Sequence, residues 1–263
     1  MSSSDSLSSH TSNTSRRILI TGASRGIGKA LALAFYQAGH KVVATARRVE
    51  SLSFLPDDER VLKLSMDVCE QASIDQVQSY IEQYWQGIDV LINNAGVAGS
   101  APLHKTSDAL WQQMMDVNVT GCFRVTRAFL PALRKQKYGR IIFIASIAGL
   151  AGCLYTSAYC ASKHAVIGMM RALALELAPT AVTCNAICPG FVETDMAYAA
   201  MDQIEKATDR TAQQARASLE AMSPQRRLIQ PDEIVAMCQF LILEASRGVH
   251  GQSLSIDGGQ VMH

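Results

Sequence analysis

Short runs of apolar and β-branched residues alternate along the chain with longer stretches in which apolar positions recur at helical spacing. The runs are "RILIT" (17–21), "KVVAT" (41–45), "VLKLS" (61–65), "DVLINN" (89–94), "RIIFIA" (140–145), "AVTCNAIC" (181–188) and "QSLSI" (252–256). Several are apolar at consecutive positions rather than at every second one, as in strands covered by helices on both faces. Strand–helix–strand repetition predicts parallel strands joined by right-handed crossovers. The expected architecture is one α/β domain: a doubly wound parallel sheet of about seven strands with helices on both faces. Ligands of such sheets bind beyond the carboxyl ends of the strands, so residues just after each strand are where chemistry is to be sought.

Two stretches depart from the rhythm. Residues 1–15, "MSSSDSLSSHTSNTS", are Ser/Thr-rich without an apolar segment or an early Arg. They read as a disordered tail, neither secretory nor organellar signal, ahead of a domain over 16–263. Residues from about 193 to 223 are rich in Met, Ala, Gln and charge and follow the sixth strand. One or two helices standing off the sheet are predicted there, placed as a lid over a substrate.

Charge narrows the partners. With 24 Lys+Arg against 23 Asp+Glu in 263 residues, and no long basic block, the chain lacks the electrostatic footprint of a nucleic-acid or anionic-membrane binder. No apolar run approaches the roughly 20 residues of a membrane-spanning helix. Seven cysteines are scattered without CxxC or a paired His spacing, which predicts neither a disulfide framework nor a metal site and fits the reducing cytoplasm. A small-molecule partner is expected.

The first strand runs into "TGASRGIGKALALAF", 21–35. Gly22, Gly26 and Gly28 permit a tight turn and close approach of a diphosphate to the backbone, with Ser24, Arg25 and Ile27 in the same turn. The helix that follows offers unpaired N–H groups and a positive dipole end. A P-loop is excluded, since Ala23 and Ala30 stand where Gly and Ser/Thr would be required. The context is that of a Rossmann-like dinucleotide site. At the end of the second strand, where an acid would select a free ribose 2′-hydroxyl, the sequence reads "TARR". Arg47 and Arg48 there, with Arg25 in the turn, suit the extra phosphate of NADP(H); taken singly, Arg48 and Arg25 also fit solvated surface charges.

In "YCASK", Tyr159 and Lys163 are four residues apart and share one helix face. An ammonium beside a phenol favours the phenolate, which makes proton exchange feasible. Such a pair arises easily by chance, but here it has companions: "NNAG" (93–96), "DVNVTG" with Asn118, "IASIAG" with Ser146 thirteen residues before Tyr159, and "PGFVET" (189–194). With the glycine turn, this set resembles the short-chain dehydrogenase/reductase family, from about Arg17 to Gly259. Within it, "GFVETDMA" and "TSAYCASKHAVIGMM" look like β-ketoacyl reductases and aromatic polyketide ketoreductases.

The resemblance implies an NADP-dependent oxidoreductase reducing a ketone, such as a 3-oxoacyl thioester or related carbonyl, to a secondary alcohol. It implies Tyr159 as acid/base, Ser146 as donor to the substrate oxygen, Lys163 on the nicotinamide ribose and beside the phenol, and Asn118 keeping a water in a proton relay. Asp67 and Val68 would flank the adenine, Asn94, Ala95 and Gly96 the adenosine ribose. Pro189, Gly190, Val192 and the Thr194 hydroxyl would orient the carboxamide. The other direction, oxidation of a hydroxyacyl-CoA or another secondary alcohol, stays open. A non-catalytic NADP-binding regulator is the reading from a different class, and all four catalytic positions being filled weighs against it. Arg134, Lys135 and Lys137 could meet an acyl carrier protein, although Thr180 stands where a second basic residue is often found. By position, Val97, Leu150, Cys153, Leu154, Phe191, Met196 and Met201 are pocket candidates that fit a core reading equally well, and His164 reads as structural. The helix from Ser157 on is apolar nearly all round, which predicts burial against a partner subunit; the resemblance, to a family commonly dimeric or tetrameric, implies a homotetramer.

Overall fold

The computed structural model describes residues 14–262. Seven parallel strands form one sheet in the order β3-β2-β1-β4-β5-β6-β7. They are β1 (Arg17–Ile20), β2 (Lys41–Ala46), β3 (Val61–Ser65), β4 (Val90–Asn93), β5 (Gly139–Ile144), β6 (Val182–Pro189) and β7 (Ser253–Ile256). The order reverses between β1 and β4, which opens a crevice at their carboxyl ends. The sequence-predicted tail lies mostly outside the described residues; of its last two, Thr14 and Ser15, the latter donates its hydroxyl to the Gly39 carbonyl at 2.9 Å.

The consecutive apolar positions split between two cores. Leu19, Val43, Leu91, Ile141 and Phe143 face one way, onto α2 (Gln71–Trp85), α4 (Cys122–Leu133) and α5 (Ser157–Leu177). Ile18, Ile20, Val42, Ile92 and Ile142 face the other, onto α1 (Gly26–Gln37) and α8 (Pro231–Leu241). Every strand residue in these sets meets a helix, so none needs to be polar. The strand residue Arg140, 2 % exposed, serves a helix end: its Nε and Nη2 donate to the Leu241 and Leu243 carbonyls at 3.1 and 3.0 Å. With the Tyr138 hydroxyl on the Ile242 carbonyl, these bonds satisfy acceptors left open at the end of α8.

α3 (Asp108–Met114) runs into α4 through a π-helical turn, Met115–Gly121. The region predicted as a lid holds α6 (Asp195–Ala207) and α7 (Ala212–Glu220). Ala197, Met201, Ala215, Leu219 and Leu228 give it a small core of its own. Among the described residues no helix is long and apolar enough to cross a membrane.

Candidate active site

The glycine turn is locked to the end of β4. Gly22 and Gly26 have φ of 65° and 53°, values that glycine adopts without strain. Thr21 Oγ1 accepts the N–H groups of Asn94 and Ala95 at 3.0 and 2.9 Å, while Asn94 Nδ2 donates to the Thr21 and Gly22 carbonyls at 2.9 and 3.0 Å. A Cβ on Gly28 would overlap the Gly22 carbonyl oxygen. The amide nitrogen of Asn94 is therefore committed to holding the turn, a task that its sequence-predicted place beside the ribose does not reveal. Arg25, at the N-cap of α1, makes no side-chain cap, so Ser24, Ile27 and the first helical turn border an open anion-binding end.

Cations follow β2, the place where the sequence predicts a 2′-phosphate. Arg47 and Arg48 follow β2, are exposed, and have no ion-pair partner among the described residues. Arg25 lies 4.0 Å from Asp195 Oδ2 at the start of α6. After β3, Asp67 Oδ1 accepts the Cys69 N–H at 2.9 Å, and buried Val68 packs so closely on Gly121 that a Cβ there would come within 2.8 Å of it. The positive-φ glycines, the packed Gly28, the uncapped α1 and the unpaired arginines all fit a phosphorylated dinucleotide.

The four residues expected to act on substrate come together beyond β5. Ser146 Oγ accepts the Ala148 N–H at 3.1 Å, and its own proton has no acceptor among the described residues. Its backbone N–H is turned to the Cys188 sulfur, whose thiol burial pushes up to about 11. Lys163, 6 % exposed, donates to the Ile144 carbonyl at 3.0 Å, and its Nζ is 5.8 Å from the Tyr159 ring centroid.

Asn118, 1 % exposed, is a clamp. Its Nδ2 donates to the Val97 carbonyl at 2.9 Å and to Ser162 Oγ at 3.0 Å, and its Oδ1 accepts the Val97 N–H at 2.8 Å. Ser162 in turn donates to the Tyr159 carbonyl at 2.7 Å. The wide π turn carries Asn118, and such turns mark functional sites in many helices. A Cβ on Gly96 would stand 3.3 Å from Asn118 Oδ1 and 3.7 Å from Lys163 Nζ, so glycine keeps the space between them open. Thr21 and Ser162 were missed in the sequence. Only their places, just before Gly22 and three residues after Tyr159, hinted at them.

The far wall comes from "PGFVET". The Gly190 N–H donates to the Ile256 carbonyl at 3.0 Å, after Pro189, and Val192 is buried. A Cβ on Gly26 would lie 3.3 Å from the Thr194 side chain, so the glycine turn and this wall face each other. Of the pocket candidates, Met201 and Phe191 belong to the lid core and Leu150 packs on the sheet core, because apolar side chains there find neighbours on the inner faces. Leu154 and Met196 are 77 % and 46 % exposed, and Val97 and Cys153 are half-buried. Next to Leu154, Tyr155 has φ of 61°, held by its carbonyl accepting the Ala101 N–H at 2.7 Å. His164 is exposed with Nδ1 on the Cys160 carbonyl at 2.9 Å, a structural role as expected.

Comparison with known proteins agrees with this geometry. The family model described as short chain dehydrogenase matches residues 16–205. The chain is 37 % identical over 257 residues to a putative ketoacyl reductase of a monensin polyketide synthase from Streptomyces virginiae, covering 95 % of this chain and 98 % of that protein. It is 35 % identical over 246 residues to a 3-oxoacyl-[acyl-carrier-protein] reductase from Vibrio cholerae, covering 93 % and 96 %. A crystal structure of a variant actinorhodin polyketide ketoreductase with NADPH superposes with a TM-score of 0.89 at 34 % identity, covering 94 % and 98 %. The chain belongs to the short-chain dehydrogenase/reductase family.

Proposed function

We propose that this protein is an NADPH-dependent ketoreductase that reduces a ketone, a 3-oxoacyl thioester or a related carbonyl, to a secondary alcohol. The observation that carries the reading is that Lys163, its Nζ 5.8 Å from the Tyr159 ring centroid, is bonded to the Ile144 carbonyl two residues before Ser146, together with a positive-φ glycine turn and the exposed Arg47 and Arg48, which have no ion-pair partner among the described residues. When bound, NADPH supplies the hydride. Arg47 and Arg48 hold the 2′-phosphate, the turn from Gly22 to Gly28 takes the diphosphate, and Asp67, Val68 and Ala95 border the adenosine. Pro189, Gly190, Val192 and Thr194 orient the carboxamide.

The Ser146 hydroxyl, its lone pair tied to Ala148 and its proton unclaimed, donates to the carbonyl oxygen and steadies negative charge there. Tyr159 gives that oxygen a proton and recovers one from solvent. Lys163 uses one of three N–H donors on Ile144, which leaves two for the nicotinamide ribose and a water. Asn118 keeps Val97 and α5 in register around that water.

Exposed Leu154 and Met196 offer apolar surface to an acyl chain. Arg134, Lys135 and Lys137 lie between the end of α4 and the start of β5, the opposite end of the strand from Ser146, so on the same chain they do not flank the reacting groups. Leu175, Phe123 and Trp111 expose apolar surface on α5, α4 and α3, which supports burial between subunits of a homotetramer. Seven free cysteines accord with the cytoplasm. The test is a screen of acetoacetyl-CoA, diketones, cyclic and aromatic ketones, following NADPH and NADH absorbance. Tight NADPH binding with no ketone consumed would turn the assignment to an NADP-binding regulator.

A further inference from the structure

At the base of the lid, the Glu193 carboxylate collects donors from three separate elements. Arg216 Nη1 on α7 is 2.7 Å away, the Tyr198 hydroxyl on α6 3.1 Å, and Gln230 Nε2, just before α8, 2.9 Å. Arg216 is braced from behind by Glu220 at 2.7 Å. The backbone is paired at the same point: the Glu193 N–H donates to the Ile229 carbonyl at 2.8 Å, and the Ile229 N–H to the Phe191 carbonyl at 2.9 Å. The chain thus enters and leaves the lid side by side, with Glu193 on one crossing and Gln230 on the other. The Arg216 hydrogen bond first, then that of Gln230, hold the Glu193 carboxyl down at about 2, so it stays ionised throughout the physiological range.

The lid core closes on itself, with Ala197, Met201, Ala215, Leu219 and Leu228 packed together. Helices held mainly to each other can turn as a body about their two crossings. Among the described residues, two other side-chain links reach from α6 to the rest of the protein. They are the exposed Ser100–Gln203 hydrogen bond at 2.9 Å and the Arg25–Asp195 pair at 4.0 Å. A neutral exposed bond and a loose exposed ion pair fix little. The charge-assisted bond from Arg216 is stronger, and it ends on the residue between Val192 and Thr194.

We propose that Glu193 is a positioning residue that fastens lid helices α6 and α7 to the Val192–Thr194 segment, so that the lid and the nicotinamide wall of the site move as one. The fastening stands on the geometry alone; that the lid covers a ketone rests on the ketoreductase reading. The two are separated by experiment. Thermolysin digestion of the cofactor-free protein reads the fastening: Glu193→Gln and Arg216→Gln each speed cleavage within residues 195–220 by about tenfold, the loss of one charge-assisted bond, with the midpoint of global unfolding little changed. The double variant is cut no faster than the faster single, because both remove one interaction.

In turnover, each single variant raises the KM for ketone by about tenfold with kcat within about threefold, and Glu193→Asp recovers part of the loss. Unchanged cleavage in Glu193→Gln, additive effects in the double variant, or a fall in kcat at constant KM overturns the proposal. A wild-type protein that fails to bind NADPH, while the variants still loosen the lid, leaves the fastening in place and removes the ketoreductase reading instead.

Discussion

Lys163 Nζ donates to the carbonyl of Ile144 at 3.0 Å, a bond from the first turns of α5 to the last residue of β5. Ser146 stands two residues beyond Ile144, and Tyr159 one helical turn before Lys163. One bond therefore sets the spacing between Ser146 and the Tyr159–Lys163 pair. Lys163 is 6 % exposed and donates to a carbonyl rather than a carboxylate, with its Nζ 5.8 Å from the Tyr159 ring centroid.

Replacing Tyr159 by Phe removes the hydroxyl proposed as the proton donor while keeping the ring that packs near Lys163. NADPH affinity by fluorescence titration should stay within about threefold, and kcat should fall by about 10²–10⁴, the usual yield of general acid–base catalysis. Retained turnover would move the acid role elsewhere.

Arg47→Asp and Arg48→Asp place a carboxylate after β2, where the guanidiniums have no ion-pair partner among the described residues. Each should lower kcat/KM for NADPH by about tenfold or more and leave the value for NADH nearly unchanged, since one charge-assisted contact is worth about 1.5–3 kcal/mol. Parallel losses with both cofactors would show that these arginines do not read the 2′-phosphate.

Gly28→Ala forces a methyl onto the Gly22 carbonyl oxygen and within 2.5 Å of Asn94 Nδ2. Both belong to the clamp between β1 and β4, so NADPH binding is lost and the unfolding midpoint drops. Gly168→Ala is the control, because a Cβ there meets nothing within 4 Å. Its NADPH affinity should be unaltered and its stability unchanged or raised by up to about 1 kcal/mol, since alanine favours the helix that Gly168 lies in.

Asn118→Ala leaves the Val97 N–H and carbonyl without their side-chain partners and frees Ser162 Oγ. The cost is about 1–3 kcal/mol in urea unfolding, the range for polar groups left unpaired away from water. Turnover falls with it, because Ser162 holds the Tyr159 carbonyl.

His40 lies below its ordinary pKa, first because it is buried and then because Arg16 is close. Its Nδ1 accepts the Arg16 N–H at 3.1 Å, which requires the neutral ring. The unfolded chain binds the proton more readily, so the stability this histidine contributes is complete above about pH 6.5 and is lost as pH falls from there through the folded value. Melting temperatures from pH 7.5 to 5.5 should decline for the wild type and decline less for His40→Asn. Equal slopes would assign the decline to other groups.

Much of the architecture could be read from the chain because the information is local. Ile18, Leu19 and Ile20 are apolar at every position, and the sheet sends them alternately into two cores. The glycine turn was legible for a similar reason, since positive φ at Gly22 and Gly26 is a property of the residue itself. Other assignments depended on which residues meet. Phe191 and Met201 could have lined a pocket or filled a core, and the lid packing decided for the core. Asn94 lay in the right motif, yet its amide nitrogen closes the turn at Thr21 and Gly22.

The sequence by itself determined the order of strands and helices, the dinucleotide turn and the spacing of Ser146, Tyr159 and Lys163, because periodicity and short motifs act within a few residues of chain. The tertiary structure alone decided that Asn118 grips Val97 and Ser162, that Lys163 is tied to Ile144, and that Glu193 gathers Tyr198, Arg216 and Gln230. These partners lie between 5 and 44 residues apart in the chain. A side chain's choice among distant donors and acceptors is made by which of them the packed sheet and helices bring within hydrogen-bonding distance.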